Sequence, residues 1–551
     1  NVLADDIREG GFGAVAIGFI HSYQNAAHEE RAREILAAKL PGMPISISAE
    51  VSPQMREFER FNTVCANAYV RPQMEDYLIR LQARLKEQGA ECPVFMIHSG
   101  GGLISVETAI EFPVRLIESG PAGGAIFAAD VAARFGLEKV VSYDMGGTTA
   151  KICLIEDFTP QTARSFEVAR TYRFSKGSGM PISIPVIEMI EIGAGGGSIA
   201  WVDSMGRIQT GPESAGSEPG PACYGNGGLR PAITDADVVL GKIDPDNFAG
   251  GAIQLSKDAA KDAIAREVGE KLSLSPLEAA FGIVEVVDEN MANAARVHAV
   301  ENGKNISDNV MIAFGGAAPL HAARLCEKLG IERCLIPPGA GVGSAIGFLK
   351  APFGYEALAS RLVRLSGFDP DAVNAMLSDL CETAEGFVRT GSDGEIRREI
   401  TGFMRYQGQG WEIPVAIPDR RLTTDDIDLI RDRFRENYAR FFVRAIDGLD
   451  GLEIEIVTWS VKASDLRPRP DQNDLTSKGT TVAPQVHRPV FDPQSDALCD
   501  SAIISRGDLT PGQRVQGPAV IVERETSTVV TSSFDALLQH DGTILLIRKE
   551  A

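Results

Sequence analysis

The chain has 551 residues, 44% hydrophobic and 23% charged, the balance of an ordinary globular protein with about three or four cores. Its formal charge of −21, from 54 basic against 75 acidic residues, comes with no basic stripe, so no nucleic-acid partner is expected. An acidic surface does not exclude anionic ligands, because a nest of backbone N–H groups can outweigh the global field. The eight cysteines form no CxxC pair, which fits reduced thiols rather than a disulfide framework or a zinc site. No run approaches the ~18 apolar residues of a membrane span, and no basic-then-apolar leader is seen. A cytoplasmic protein is expected.

In chain order, AVAIGFI (14–20) is almost continuously apolar and predicts a strand covered on both faces. A helix follows over 28–39, a short strand over 45–48, and a long helix over 62–85, where Ala66, Tyr69, Val70, Met74, Leu78, Leu81 and Leu85 keep helical spacing. VFMI (94–97) is the next buried strand and runs into His98-Ser-Gly-Gly-Gly; SGPAGG opens a helix over about 124–135. From Lys139 the pattern restarts with a strand, the turn DMGGTT, and the strand KICLIE. A helix over 277–300, a strand over 310–314 and a helix over 320–329 complete a second α/β stretch. Beyond 355, helices are expected over 369–390 and 424–441, with strands at ITGFMRYQ, WEIPVAI and LEIEIVTWSVKA. Residues 465–490 read as a linker, and the tail is β-rich.

The turn DMGGTT, residues 144–149, carries the chemistry. A phosphate needs N–H donors and close backbone approach, which glycine permits by removing Cβ. Threonine hydroxyls add donors, and an aspartate can hold magnesium. A tight hairpin with a solvated aspartate is the competing reading. Other loops weigh on the ligand side. EIGAGGGSIAW (191–201) imitates a dinucleotide fingerprint, but a strand-like segment follows it rather than a helix, so that fingerprint fails. IAFGGAAPLHAA (312–323) is strand, Gly-Gly, helix, and PPGAGVGSAIG (337–347) repeats the arrangement. TDADVVLG (234–241) sets Asp235 and Asp237 at a helix start, where capping competes with a metal or substrate role.

Together DMGGTTAK, GAGGGS, SAGSEPGPACYG, TDADVVLG, FGGAAPLHA, AEVSPQMREFERFNTVCANAYV and ESGPAGGA resemble the A-type, ATP-using subunit of the hydantoinase/oxoprolinase family. The resemblance runs over about 10–360 and more weakly through RYQGQGWEIPV and GPAVIVERETSTVV. It implies an α/β fold of two RNase-H-like domains, as in actin and sugar kinases, around an interdomain cleft, with a β-rich α+β C-terminal region. The divisions expected are 1–138, 139–355 and 356–551. It implies ATP with Mg2+ or Mn2+, a small-molecule substrate, and a B-type partner subunit in a heteromer. The activity implied is phosphorylation of a cyclic amide such as a hydantoin or 5-oxoproline for ring opening. An ATP-dependent ketone carboxylase subunit and a non-catalytic ATP-binding or scaffold subunit are the alternatives. The family opens with a first phosphate loop of the type DxGGTFTD. No such loop occurs here, and Asn1 stands close to an apolar strand, so missing upstream sequence is expected.

On that reading Asp144 contacts the metal and, with Thr148, serves catalysis. Gly146, Gly147, Thr148 and Thr149 wrap the phosphates, joined by Gly195, Gly196 and Gly197, while Gly315, Gly316 and Ala317 touch the nucleoside. Lys151 either pairs with phosphate or lies on the outer face of its strand. His98, Asp235 and Asp237 are candidate substrate contacts. His321 is expected to be a packed or capping histidine, Cys223 a buried structural thiol, and Arg56, Glu57, Glu59 and Arg60 a solvated or ion-paired face.

Overall fold

The computed structural model describes residues 2–169, 177–442, 451–468 and 470–550. The chain forms two compact units, each assembled from separate stretches. Unit 1 takes residues 1–122, 162–186 and 351–468; unit 2 takes 123–161, 187–350 and 469–551. These units cut across the linear divisions expected from the pattern, because the tail strands pair with strands encoded far earlier.

Unit 1 is centred on a four-stranded antiparallel sheet in the order Gly354–Arg364, Ile454–Asp465, Ile396–Tyr406, Ile413–Ile417. The helix Pro370–Arg389 packs on it, started by Asp369, whose carboxylate accepts the N–H groups of Asp371 and Ala372. Trp459 is fully buried in this core, and its indole N–H donates to the Arg361 carbonyl at 3.1 Å. The predicted strands and helices beyond 355 form close to their expected bounds. The long helix runs further than its periodicity indicated, over Glu57–Glu87.

One expectation for unit 1 fails and another holds only in part. AVAIGFI yields only the strand Val15–Ile17, paired on one side to Ile45–Ile47, and Phe19 and Ile20 are exposed. The strand is only three residues long, so Phe19 and Ile20 fall beyond it, outside the cover that buries Ile17. Arg60, expected on a solvated or ion-paired face, is wholly buried and lies within ion-pair distance of Glu57 at 3.6 Å, so it is paired but not solvated. Its guanidinium donates to Ser48 Oγ and to the carbonyls of Gln54 and Phe19, and lies against the Tyr23 and Phe61 rings. Every donor group finds an acceptor, which is what makes a buried arginine tolerable.

Unit 2 is built on a ten-stranded mixed sheet. Its strands are β1 (Lys139–Met145), β2 (Ala150–Glu156), β3 (Met189–Ile192), β4 (Val310–Phe314), β5 (Arg333–Ile336), β6 (Thr480–Thr481), β7 (Gln513–Gln516), β8 (Phe534–Leu538) and β9 (Ile544–Arg548). The order is β3-β2-β1-β4-β5-β9-β8-β7-β6, and the small strand Thr159–Pro160 pairs with β2. The β1–β4 and β4–β5 pairs are parallel, and all five residues of β4 are buried. That burial on both faces explains its unbroken apolar sequence. Helices α1 (Ile233–Val239), α2 (Pro276–Glu301) and α3 (Ala318–Leu329) pack in the same unit. The helix α2 begins at a capping box in which Ser275 and Glu278 satisfy each other's backbone N–H. Among the described residues, no helix is long and apolar enough to cross a membrane.

Candidate functional site

β1 and β2 form an antiparallel hairpin whose turn is DMGGTT, closed by Gly146 N–H donating to the Thr149 carbonyl at 3.1 Å. Two other glycine loops of unit 2 meet this turn through their backbones. Gly196 N–H donates to Gly146 O at 3.0 Å, and Gly197 N–H to Gly147 O at 2.7 Å. From the loop after β4, Ala317 N–H donates to Met145 O at 3.0 Å, while Gly315 N–H bonds Ala340 O at 2.7 Å. Gly316 O accepts from Thr526 Oγ1 at 2.9 Å.

The glycines here are of two kinds. A Cβ on Gly195 would sit 2.5 Å from Thr148 N, and one on Gly315 would sit 2.4 Å from Met145 O. Gly315 also has φ +97°, which side chains resist. These positions are glycine because backbones touch. Gly146 and Gly147 face open space, where a Cβ would meet nothing within 4 Å. The Gly146 N–H is engaged by the Thr149 carbonyl, and the missing side chains leave the tip of the turn open.

Asp144 stands at the end of β1, beside this turn. Ser344 Oγ donates to its Oδ2 at 3.0 Å, and among the described residues no donor reaches Oδ1. Burial pushes its carboxyl above the usual range, opposed by the Ser344 hydrogen bond and by the charge of Lys151. A carboxylate with one open oxygen, short of counter-charge, suits a divalent cation. Among the described residues no cluster of three or more His, Cys, Asp or Glu could cage a metal. One carboxylate with ligand oxygens and water is how Mg2+ is usually held.

Lys151 lies opposite Asp144 across the hairpin, but its ammonium is engaged by Thr149 Oγ1 at 2.6 Å and Glu191 at 3.0 Å. Thr148 is exposed at the tip.

The three candidate substrate contacts are each engaged by groups of the protein. His98 belongs to unit 1, where its Nε2 bonds Gly354 O at 3.1 Å and its Nδ1 accepts Gly100 N–H at 3.0 Å. Burial, then the neighbouring Arg115, pull its pKa down to about 3, so it is a neutral ring holding a hairpin. Asp235 is buried, and its carboxylate accepts the N–H groups of Ala222, Cys223 and Ala232. It caps α1 and pins the SEPGPACYG loop. Cys223 beside it is buried, and burial followed by Asp235 pushes its thiol well up, away from thiolate chemistry. Asp237 is buried within ion-pair distance of Lys242 (3.1 Å) and His321 Nε2 (3.3 Å).

Sequence reasoning missed Ser344, Glu191 and Thr234. Thr234 donates both its N–H and its hydroxyl to Gly196 O, at 2.8 and 2.9 Å. The signal for Ser344 was present in GAGVGSAIG, a lone hydroxyl in a glycine-rich helix start; nothing local marks the other two.

Fold and site together define an α/β protein in which glycine turns converge beside one largely buried aspartate. Residues 60–357 match the family described as Hydantoinase/oxoprolinase, and residues 371–549 its C-terminal domain. The caprolactamase subunit alpha of Pseudomonas jessenii is 34% identical over 98% of this chain and 77% of its own length. The crystal structure of ATP-dependent caprolactamase from that organism superposes with a TM-score of 0.83 at 32% identity, over 100% of this chain and 79% of that one. The acetone carboxylase beta subunit of Xanthobacter autotrophicus is 28% identical over 97% of this chain and 75% of its own length. A nucleotide-free structure of acetone carboxylase gives a TM-score of 0.78 at 26% identity, covering 99% of this chain and 78% of that one. The chain belongs to the hydantoinase/oxoprolinase family.

Proposed function

We propose that this chain is the ATP-using subunit of an enzyme that opens a cyclic amide, a lactam or imide, in concert with a B-type partner subunit. The observation that carries the reading is the convergence of three glycine loops on the Asp144 turn, in a chain similar throughout its length to a caprolactamase alpha subunit. ATP, when bound, supplies the phosphoryl group that turns an amide oxygen into part of a good leaving group. The protein's share is positioning and charge neutralisation. Gly147 and Thr148 would present N–H and hydroxyl donors to the phosphates, Gly146 would leave room for their close approach, and Asp144 would hold Mg2+ or Mn2+. Ser344 fixes the carboxylate rotamer. Gly195–Gly197 and Gly315–Ala317 form the walls, with the nucleoside against Gly316 and Ala317. Lys151, held by Glu191, acts on Asp144 through its charge.

Ketone carboxylation is the second reading, favoured by the similarity to the acetone carboxylase beta subunit. The deciding experiment is ADP release by the full chain with its partner across lactams, imides and ketones, the last with and without bicarbonate. Lactam- or imide-dependent release supports the first reading. Release only with a ketone and bicarbonate replaces it with the second.

A further inference from the structure

A buried charge cluster lies in unit 2, spread over the helices that carry the glycine loops. His321, on α3, directs Nδ1 at Asp288 Oδ1 of α2 at 2.9 Å and Nε2 at Asp237 Oδ2 of α1 at 3.3 Å. Lys242 approaches Asp237 Oδ1 at 3.1 Å. His321, Asp237 and Asp288 are each at most 1% exposed. Nδ1 makes a hydrogen bond to Asp288, while Nε2 lies at ion-pair distance from Asp237 without hydrogen-bond geometry; carboxylates on both sides of the ring favour the imidazolium. Two cations then face two carboxylates, a neutral set that can survive burial. Tyr143 of β1 also faces the set; its hydroxyl lies 3.0 Å from Met145 Sδ and Met291 Sδ.

Two of the three helices joined by this ring, α1 and α3, are tied to loops of the site. Thr234, in the first turn of α1, holds Gly196 O through two hydrogen bonds, and Asp237 lies one turn on in the same helix. His321 lies one turn into α3, whose leading Ala317 holds Met145 O. Resting on the reading of this site as a nucleotide cradle, we infer that His321 is a positioning residue, an imidazolium clamped between Asp237 and Asp288 that fixes the Gly195–Gly197 and Gly315–Ala317 loops against each other. It touches no substrate. It acts through α1 and α3.

The test is hydrogen exchange on the full chain carrying His321→Gln, which keeps a donor but loses the charge and one contact. The amides of Gly196, Gly197, Thr234 and Ala317 are expected to lose protection by about 10-fold or more, as for other residues that orient a site from behind. The amides linking β1 to β4 should hold theirs. Asp237→Asn preserves volume and reads the same amides if the histidine variant folds poorly. Equal loss across the whole sheet, or no loss at the loops, overturns the proposal. Calorimetry with MgATP on the wild type tests the cradle separately. No binding there ends the nucleotide reading while the exchange result still judges the clamp. With binding, His321→Gln should weaken it about 10-fold.

Discussion

Ser344 donates its hydroxyl hydrogen to Asp144 Oδ2 across 3.0 Å, joining a helix start to the end of β1 two hundred residues away in sequence. This bond lowers a carboxyl that burial raises. Removing it with Ser344→Ala should move the acid limb of the kcat/KM profile to higher pH, with little change at the plateau. An acid limb that stays in place would mean Asp144 need not be ionised for turnover.

Asp144→Asn keeps the size and removes the charge. Since positioning and neutralisation carry phosphoryl transfer, turnover should fall about 10²-fold, roughly 3 kcal/mol of barrier. Thermal unfolding should change little. Wild-type turnover with saturating magnesium would show that DMGGTT is only a turn.

Gly147→Ala and Gly195→Ala separate two uses of glycine. The new methyl at 147 meets nothing within 4 Å, so stability should hold while turnover drops if a ligand needs the bare turn. At 195 the methyl would lie 2.5 Å from Thr148 N. Overpacking of that kind costs about 1–3 kcal/mol, and chemical denaturation should show it. Full activity in Gly147→Ala would remove the phosphates from this turn.

Two buried histidines give stability opposite slopes with pH. Burial alone would lower His321, but Asp237 and then Asp288, against Lys242, raise it from 6.5 to about 9. Its contribution is full below pH 6.5 and is lost as pH rises to about 9, on the order of 3 kcal/mol. His98 is held down at about 3 by burial, so its contribution is present above pH 6.5 and is lost as pH falls toward 3. Denaturant midpoints between pH 4 and 10 should therefore fall at both ends. His321→Gln should flatten the alkaline side and His98→Gln the acid side. An alkaline slope unchanged in His321→Gln would contradict the imidazolium.

Where local pattern dictates structure, the sequence was legible. β4 occupies the predicted Val310–Phe314, because an apolar run bounded by Asn309 and Gly315 has one good solution. The glycine turns could also be read as sites of close approach. Their partners could not, since Gly195 against Thr148 is a tertiary fact. AVAIGFI misled because apolarity signals burial only when neighbours exist to cover it. Asp235 and Asp237 share a helix turn and a sequence signature yet do different things, one capping backbone and one balancing charge, and only packing separates them. The pairing of Arg60 with Glu57 was legible from their spacing, but its burial was not, since its hydrogen-bond acceptors are carbonyls and a serine from distant turns.

β9, the final described strand, sits inside the sheet of unit 2 between β5 and β8. During synthesis β1, β4 and β5 emerge long before Ile544–Arg548, and β5 waits with one edge unpaired until those residues arrive. Such an edge is an invitation to mispair. Deleting β9 would leave that edge open for good, and the product should go to aggregates rather than to a shortened, soluble form.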